Sequence, residues 1–250
     1  MTADARLAGE LAAAAGELLV RLRSEDGLSG KALGAAGDEQ ANDLLLARLR
    51  EERPDDAVLS EESSDDRRRL AADRVWIVDP LDGTREFGMP DRADWAVHVA
   101  LWHAGSGLVA GAVALPDLGV TYTTDQERID PVAGLLPERT TDRPRVVVSA
   151  SRPQALADPV ASAVGGDVVN LGSAGAKTMA VVRGEADVYV HSGGQYEWDS
   201  AAPVAVARAV GLWCSRVDGS PLEYNRDDVY LPDLLVCRAD LKDAVLDAIS

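Results

Sequence analysis

The residues best placed to do chemistry in this sequence are carboxylates that follow an apolar run. Trp76-Ile77-Val78 passes directly into Asp79-Pro80-Leu81-Asp82-Gly83-Thr84, two acids three residues apart at the end of a predicted buried strand. Pro80 has no amide to donate to a sheet ladder, so the strand is expected to stop and turn there. Gly83 lets backbone approach a ligand closely, and Thr84 is the expected start of a helix whose free amides would face an anion. Two carboxylates beside an anion-accepting helix start are compatible only if a cation joins them. Mg²⁺ suits that role, since it takes one or two carboxylates together with substrate phosphate and water.

Two further acidic positions extend the set. Leu59-Ser60-Glu61-Glu62-Ser63 places glutamates at the end of a short β segment, which would deliver Glu61 to the same sheet edge as Asp79. Taken alone, paired glutamates read as solvated surface. Glu197-Trp198-Asp199-Ser200-Ala201-Ala202-Pro203 puts Asp199 at the expected start of a helix, where an N-cap needs no further role. Read together, the acids describe a metal centre assembled from distant parts of the chain.

Composition narrows what such a centre could serve. The chain has 250 residues, 46% hydrophobic and 27% charged, with a formal net charge of -17. That surface repels DNA and anionic membranes. An aromatic content of 4% argues against a stacking platform for single-stranded nucleic acid. An acidic protein acting on a phosphate needs cations between itself and its substrate. Cys214 and Cys237 read as two buried thiols of a reducing cytoplasm. Asp4, Arg6, Glu10 and Glu17 interrupt the apolar N-terminal stretch, so neither a secretory core nor a membrane span is expected.

The elements that must hold these residues follow from periodicity. Leu7, Leu11, Leu18 and Leu22 predict a first helix; a Gly-rich stretch from Gly27 to Gly37 then leads to Asp38, read as the N-cap of a second helix carrying Leu45 and Leu49. The polar run Ser63 to Arg69 reads as a solvated loop or short helix. Strands are predicted at 57–60, 75–78, 95–102, 109–115 and 120–124, successive enough for an antiparallel sheet. Pro131 to Pro144 reads as a connection. Beyond it, strands at 146–148, 168–169 and 186–190 alternate with helices at 153–164, 174–183 and 199–210, an α/β pattern. Two subdomains are expected, 1–140 and 141–250, with the site at their junction. His98 and His103 alternate on an apolar strand and read as structural; His191 lies near Gly193-Gly194, where it could line the site.

The set Glu61-Glu62-Ser63, Asp79-Pro80-Leu81-Asp82-Gly83-Thr84 and Trp198-Asp199-Ser200-Ala201-Ala202 resembles the inositol monophosphatase superfamily of lithium-sensitive, magnesium-dependent phosphatases. The resemblance spans nearly the whole chain, and it implies a layered αβαβα sandwich. Gly172-Ser173 through Lys177, Gly184-Glu185-Ala186-Asp187-Val188-Tyr189, Glu197 and Pro221-Leu222-Glu223-Tyr224-Asn225 are most similar to the bacterial 3'(2'),5'-bisphosphate nucleotidases. These remove the 3'-phosphate of adenosine 3',5'-bisphosphate in sulfur assimilation and nucleotide turnover. Two positions depart from the pattern: Ala35-Ala36-Gly37 precedes Asp38 where the family often has Thr-x-Ala-Asp, and Arg152 stands where nucleotidases often carry His.

By resemblance, Glu61, Asp79, Asp82, Asp199 and the Leu81 carbonyl hold two or three Mg²⁺ ions. Glu61 and Thr84 orient the attacking water, with Asp38 supporting Thr84. The amides of Gly83 and Thr84 take the phosphoryl oxygens, and Arg152, Ser173, Lys177 and Asp199 contact the rest of the substrate. Considered by themselves, Ser173 is an ordinary N-cap and Lys177 an ordinary solvated helical lysine. The resemblance leaves three readings: the bisphosphate nucleotidase; an inositol 1-phosphate or fructose 1,6-bisphosphate phosphatase; and a non-catalytic relative that binds metal or nucleotide. A homodimer is the expected assembly.

Overall fold

The computed structural model describes residues 2–25, 27–125, 140, 142–151 and 155–249. Seven helices and ten strands are present among them: α1 (Ala3–Ser24), α2 (Gly30–Glu52), β1 (Ala57–Ser60), β2 (Arg74–Asp82), α3 (Thr84–Phe87), β3 (Ala96–His103), β4 (Gly107–Leu115), β5 (Val120–Thr123), β6 (Arg145–Ser149), α4 (Ala157–Val164), β7 (Asp167–Leu171), α5 (Ala174–Val182), β8 (Val188–Tyr196), α6 (Glu197–Ala209), β9 (Trp213–Ser215), β10 (Tyr230–Cys237) and α7 (Lys242–Ile249). Strands β1 to β5 form one sheet in chain order, parallel between β1 and β2 and antiparallel thereafter; the other sheet runs β7-β6-β8-β10-β9.

Alternation along the strands stacks these elements into five layers, because successive side chains of a strand leave opposite faces. On β2, Trp76 and Val78 join Val97, Val99 and Leu101 of β3 in a core against α1 and α2. Val75 and Ile77 face the other way, into a core shared with Val147, Tyr189, Leu234 and Val236 of the second sheet and with α5 and α6. A third core gathers Val146, Val148, Val188 and Leu235 with α4 and α7. The order is α1/α2, first sheet, α5/α6, second sheet, α4/α7, the αβαβα sandwich expected from sequence. Helix α5 lies between the sheets and is buried all round.

Several local expectations need correction. Asp38 is not an N-cap: α2 begins at Gly30 after Ser29, so Asp38 stands inside the helix. In the Gly-rich stretch, Gly34 and Gly37 are there for contact. A Cβ on Gly34 would come within 2.7 Å of Thr84 Cγ2, and one on Gly37 within 2.9 Å of Leu81 Cδ2 and Phe87 Cε1. The helix thus lies directly on the end of β2 and on α3. Pro80 does not end its strand; β2 reaches Asp82 through a register shift against β3 between Asp79 and Asp82, and such bulges tolerate proline. Asp199 is three residues beyond the cap position Tyr196 rather than the cap itself. Arg69 is not solvated but 1% exposed.

Cys214 and Cys237 are free thiols; they sit on neighbouring strands but pack into different cores. No helix among the described residues is long and apolar enough to cross a membrane. Most of the connection expected at Pro131 to Pro144, and Arg152, lie outside the described residues.

Candidate active site

The parallel pairing of β1 and β2 aligns Ser60 with Val78, and the Glu61 amide donates to the Val78 carbonyl at 3.3 Å. Glu61 and Asp79 therefore leave adjacent strands at the same edge. The bulge carries Asp82 to that edge too, and the first turn of α6 supplies Asp199. One ligand oxygen from each of Asp79, Asp82 and Asp199 lies within 4.8 Å of the others. Asp79 and Asp82 are buried, and Asp82, Asp199 and Glu61 line an open cavity of about 400 Å³.

The electrostatics of this cluster are those of a cation site. Burial, reinforced by Glu61, Asp82 and Asp199, drives the Asp79 carboxyl well above the usual range. Burial and the Asp82 charge push Asp199 up to about 6. Glu61 reaches solvent as a residue, but its crowded carboxyl is desolvated and faces Asp199, which raises it to about 7. Asp82 behaves oppositely. Burial opposes its charge, but His98, Lys177 and the Gly175 amide together hold it below the ordinary value. An all-oxygen donor set under this mutual repulsion fits a hard divalent cation such as Mg²⁺.

Two histidine contacts fix the geometry. His98 is 1% exposed, with Nε2 3.2 Å from Asp82 Oδ2 and Nδ1 3.1 Å from the Trp198 carbonyl, so one ring bridges β3, the bulge and α6. Asp82 Oδ2 also accepts from the Gly175 amide at 2.6 Å. The sequence reading of His98 as structural missed that it holds the acidic cluster itself. Its position beside small residues, with Ala96 and Ala100 sharing its face, was the available signal.

Thr84 opens α3, a single turn capped by Gly83 in the left-handed region at φ 90°. Its Oγ1 lies 3.1 Å from Asp38 Oδ1 and 3.2 Å from the Leu81 carbonyl. Burial, and then the Glu62 charge, raise Asp38 to about 6. Ser173 caps α5, accepting from the Ala176 amide at 2.9 Å, and lines the cavity beside Gly83. Lys177 is 3% exposed, so it is not a solvated lysine; Nζ donates to the Gly172 carbonyl and lies 5.2 Å from the Tyr189 ring centroid. Burial lowers it to about 8. His191 also lines the cavity. The structure brings Glu61, Asp79, Asp82, Gly83, Ser173, Lys177 and Asp199 around one space, with Asp38, Leu81 and Thr84 adjoining.

The start of α6 is held by a network that sequence did not disclose. Glu197, 1% exposed, accepts from the Asn225 amide at 2.7 Å and the Arg226 amide at 2.8 Å. Arg69 Nη1 donates to Asn225 Oδ1 at 2.7 Å, and Arg69 Nε donates to Asp65 Oδ1 at 2.7 Å. The chain just after Glu61 is thereby tied to the helix that presents Asp199.

Comparison with known proteins agrees with this geometry. A family model described as the inositol monophosphatase family matches residues 3–248. The 3'-phosphoadenosine 5'-phosphate phosphatase of Mycobacterium leprae is 53% identical over 256 residues, covering 98% of this chain and 93% of that protein. The 3'(2'),5'-bisphosphate nucleotidase CysQ of Shigella flexneri is 31% identical over 201 residues, 78% of this chain and 81% of its own. Among solved structures, CysQ from Bacteroides thetaiotaomicron superposes with a TM-score of 0.78 at 26% identity, over 94% of this chain and 96% of that one. The extragenic suppressor protein suhB from Bartonella henselae, at 21% identity, shares the fold with a TM-score of 0.77 over 99% of both chains. The sheet order, the acidic edge and these matches over nearly the full length lead to one assignment: the chain belongs to the inositol monophosphatase family.

Proposed function

We propose that this protein is a Mg²⁺-dependent phosphatase that removes the 3'-phosphate of 3'-phosphoadenosine 5'-phosphate, at a site between subdomains 1–140 and 141–250. The observation that carries the reading is the convergence of Asp79, Asp82 and Asp199 within 4.8 Å, with Asp82 and Asp199 on the wall of a nucleotide-sized cavity and Asp79 buried behind them. The 53% identity with the Mycobacterium leprae phosphatase supports the choice of substrate. The cytoplasm, as the compartment for an enzyme with two free cysteines, belongs to the same proposal.

Glu61, Asp79, Asp82, Asp199 and the Leu81 carbonyl would hold the ions. When bound, Mg²⁺ lowers the pKa of a water and neutralises charge on the phosphoryl and leaving oxygens. The Asp38 carboxylate accepts a hydrogen bond from the Thr84 hydroxyl, leaving Thr84 Oγ1 to accept one from the attacking water. Glu61, at the same acidic edge, fixes the second direction of that water. As the water oxygen bonds to phosphorus and gives up a proton, the P–O bond to the sugar breaks and the departing 3'-oxygen takes up a proton, leaving adenosine 5'-monophosphate and inorganic phosphate. The Gly83 and Thr84 amides receive the phosphoryl oxygens, and Ser173 and Lys177 contact the remainder of the substrate.

Measuring kcat/KM for 3'-phosphoadenosine 5'-phosphate, inositol 1-phosphate and fructose 1,6-bisphosphate at equal Mg²⁺ tests the assignment. The nucleotide is expected to lead. A higher value for either alternative would move the assignment to that substrate, and no phosphate release from any would refute the enzyme.

A further inference from the structure

Tyrosine is scarce in this chain, five residues in all, yet Tyr189, Tyr196 and Tyr230 line the same cavity as the acidic cluster. Tyr196 and Tyr230 are 46% and 47% exposed, and they are the aromatic residues among the exposed large hydrophobics. Leaving two rings in water forgoes burial that aromatic side chains normally gain. Their placement is built. They stand directly opposite each other on β8 and β10, next to a bulge marked by Gly193 and Gly194 at φ 116° and 88°. Ring centroids are 6.0 Å apart at 76°, so the two surfaces form a corner.

Tyr196 is held in orientation from behind. Its ring stacks on Trp198 at 5.0 Å and 17°, and Trp198 is anchored through its carbonyl to His98. The Tyr196 amide donates to Asp199 Oδ2 at 2.6 Å. The aromatic corner therefore begins within one helical turn, roughly 5 Å, of a carboxylate of the cluster. Next to Tyr196 on β8 lies a second, independent feature. Gln195 lines the cavity, is 7% exposed, and its Nε2 has no hydrogen-bond partner. A buried amide without a partner is costly unless a ligand completes it.

We infer that Tyr196, Tyr230 and Gln195 form a nucleobase subsite, the rings stacking a planar base and the Gln195 amide meeting an acceptor on its edge. This rests on the nucleotide reading of the site and deepens it, since it names the part of the substrate that separates a nucleotide from a sugar phosphate. A metal cluster grips only the reacting phosphate and discriminates poorly between alcohols. An aromatic corner adds selectivity because every base has a π-face, whereas inositol has none.

Tyr196→Ala and Tyr230→Leu are each expected to lower kcat/KM for 3'-phosphoadenosine 5'-phosphate about tenfold more than kcat/KM for inositol 1-phosphate, with Tyr196→Phe restoring most of the difference. In calorimetry, the same two variants should weaken binding of adenosine 5'-monophosphate more than binding of ribose 5-phosphate. Melting curves identify any variant that fails to fold, and the other then decides. Equal losses on nucleotide and inositol phosphate, in folded protein, would overturn the subsite. A parent enzyme that shows no preference for the nucleotide would instead overturn the proposed substrate, before any variant is compared.

Discussion

Raising the pH of the cation-free protein from 5 to 7.5 should destabilise it, and Mg²⁺ should reverse the loss. Asp199 has a folded value of about 6 against an ordinary 3.8, because burial and the Asp82 charge disfavour its ionised form. Between those values the native state binds more protons than the unfolded chain, so stability falls as pH rises. A shift of roughly two units corresponds to about 3 kcal/mol, fully expressed above the folded value. Glu61, at about 7, and Asp79 act in the same direction, but the groups repel one another, so their effects overlap rather than add. Part of the Asp199 loss is already present by pH 5; the step from pH 5 to 7.5 takes about one unit of it, ~1.4 kcal/mol, a fall of roughly 3–6 °C in Tm for a domain of this size. A cation binds the ionised acids and competes with the protons. At pH 7.5, Mg²⁺ at a hundred times its Kd should stabilise by about 2.7 kcal/mol, with a smaller gain at pH 5. Thermal melts with EDTA or Mg²⁺ at both pH values measure all four corners. A cation-free Tm that rises toward pH 7.5, together with no response to Mg²⁺ there, would refute the account of the cluster.

Two substitutions separate the ligands from their support. Asp82→Asn should reduce phosphate release more than about a hundredfold, beyond what loss of a supporting contact costs, while circular dichroism shows the fold retained; unchanged kcat in folded protein would remove Asp82 from the site. Gly175→Ala would place a Cβ 2.2 Å from His98 Nε2 and 2.9 Å from the Ala96 Cβ, in a layer where the ring has contacts on both sides. Overpacking of this kind costs about 1–3 kcal/mol, so Tm should fall by several degrees and Mg²⁺ affinity should weaken, and a melt and isotherm matching the parent would show that the ring yields freely.

The sequence disclosed those parts of the site that are local. Asp79 and Asp82 are three residues apart after an apolar strand, and the alternation of Val75, Trp76, Ile77 and Val78 placed that strand with both faces buried. The five-layer order was accessible only through the resemblance; the switch from successive strands to alternating strands and helices gave the antiparallel and α/β halves. The β9, β10 and α7 elements had no such signature, and their pairing depends on contacts with β8 that no short window contains. Asp38 illustrates a different failure. Glycine has low helix propensity, so the Gly-rich stretch up to Gly37 read as lying before the helix, with Asp38 as its cap. Packing against Thr84, Leu81 and Phe87 outweighs that propensity and needs the missing Cβ atoms.

Lys177 shows what a fuller reading of the same letters yields. A lysine on a helix is usually solvated, but Ala174-Gly175-Ala176-Lys177-Thr178-Met179-Ala180-Val181-Val182 has no polar face for it to occupy. A helix apolar on every side belongs between two layers, so its one charged residue must serve something inside. Here it faces the cavity shared with Asp82 and Asp199, and those two carboxylates keep its buried ammonium from falling further than about 8. The acidic cluster and the buried lysine thus stabilise each other's charge across the α5/α6 layer. That mutual dependence lets a protein of net charge -17 keep a buried ammonium facing this acidic cavity.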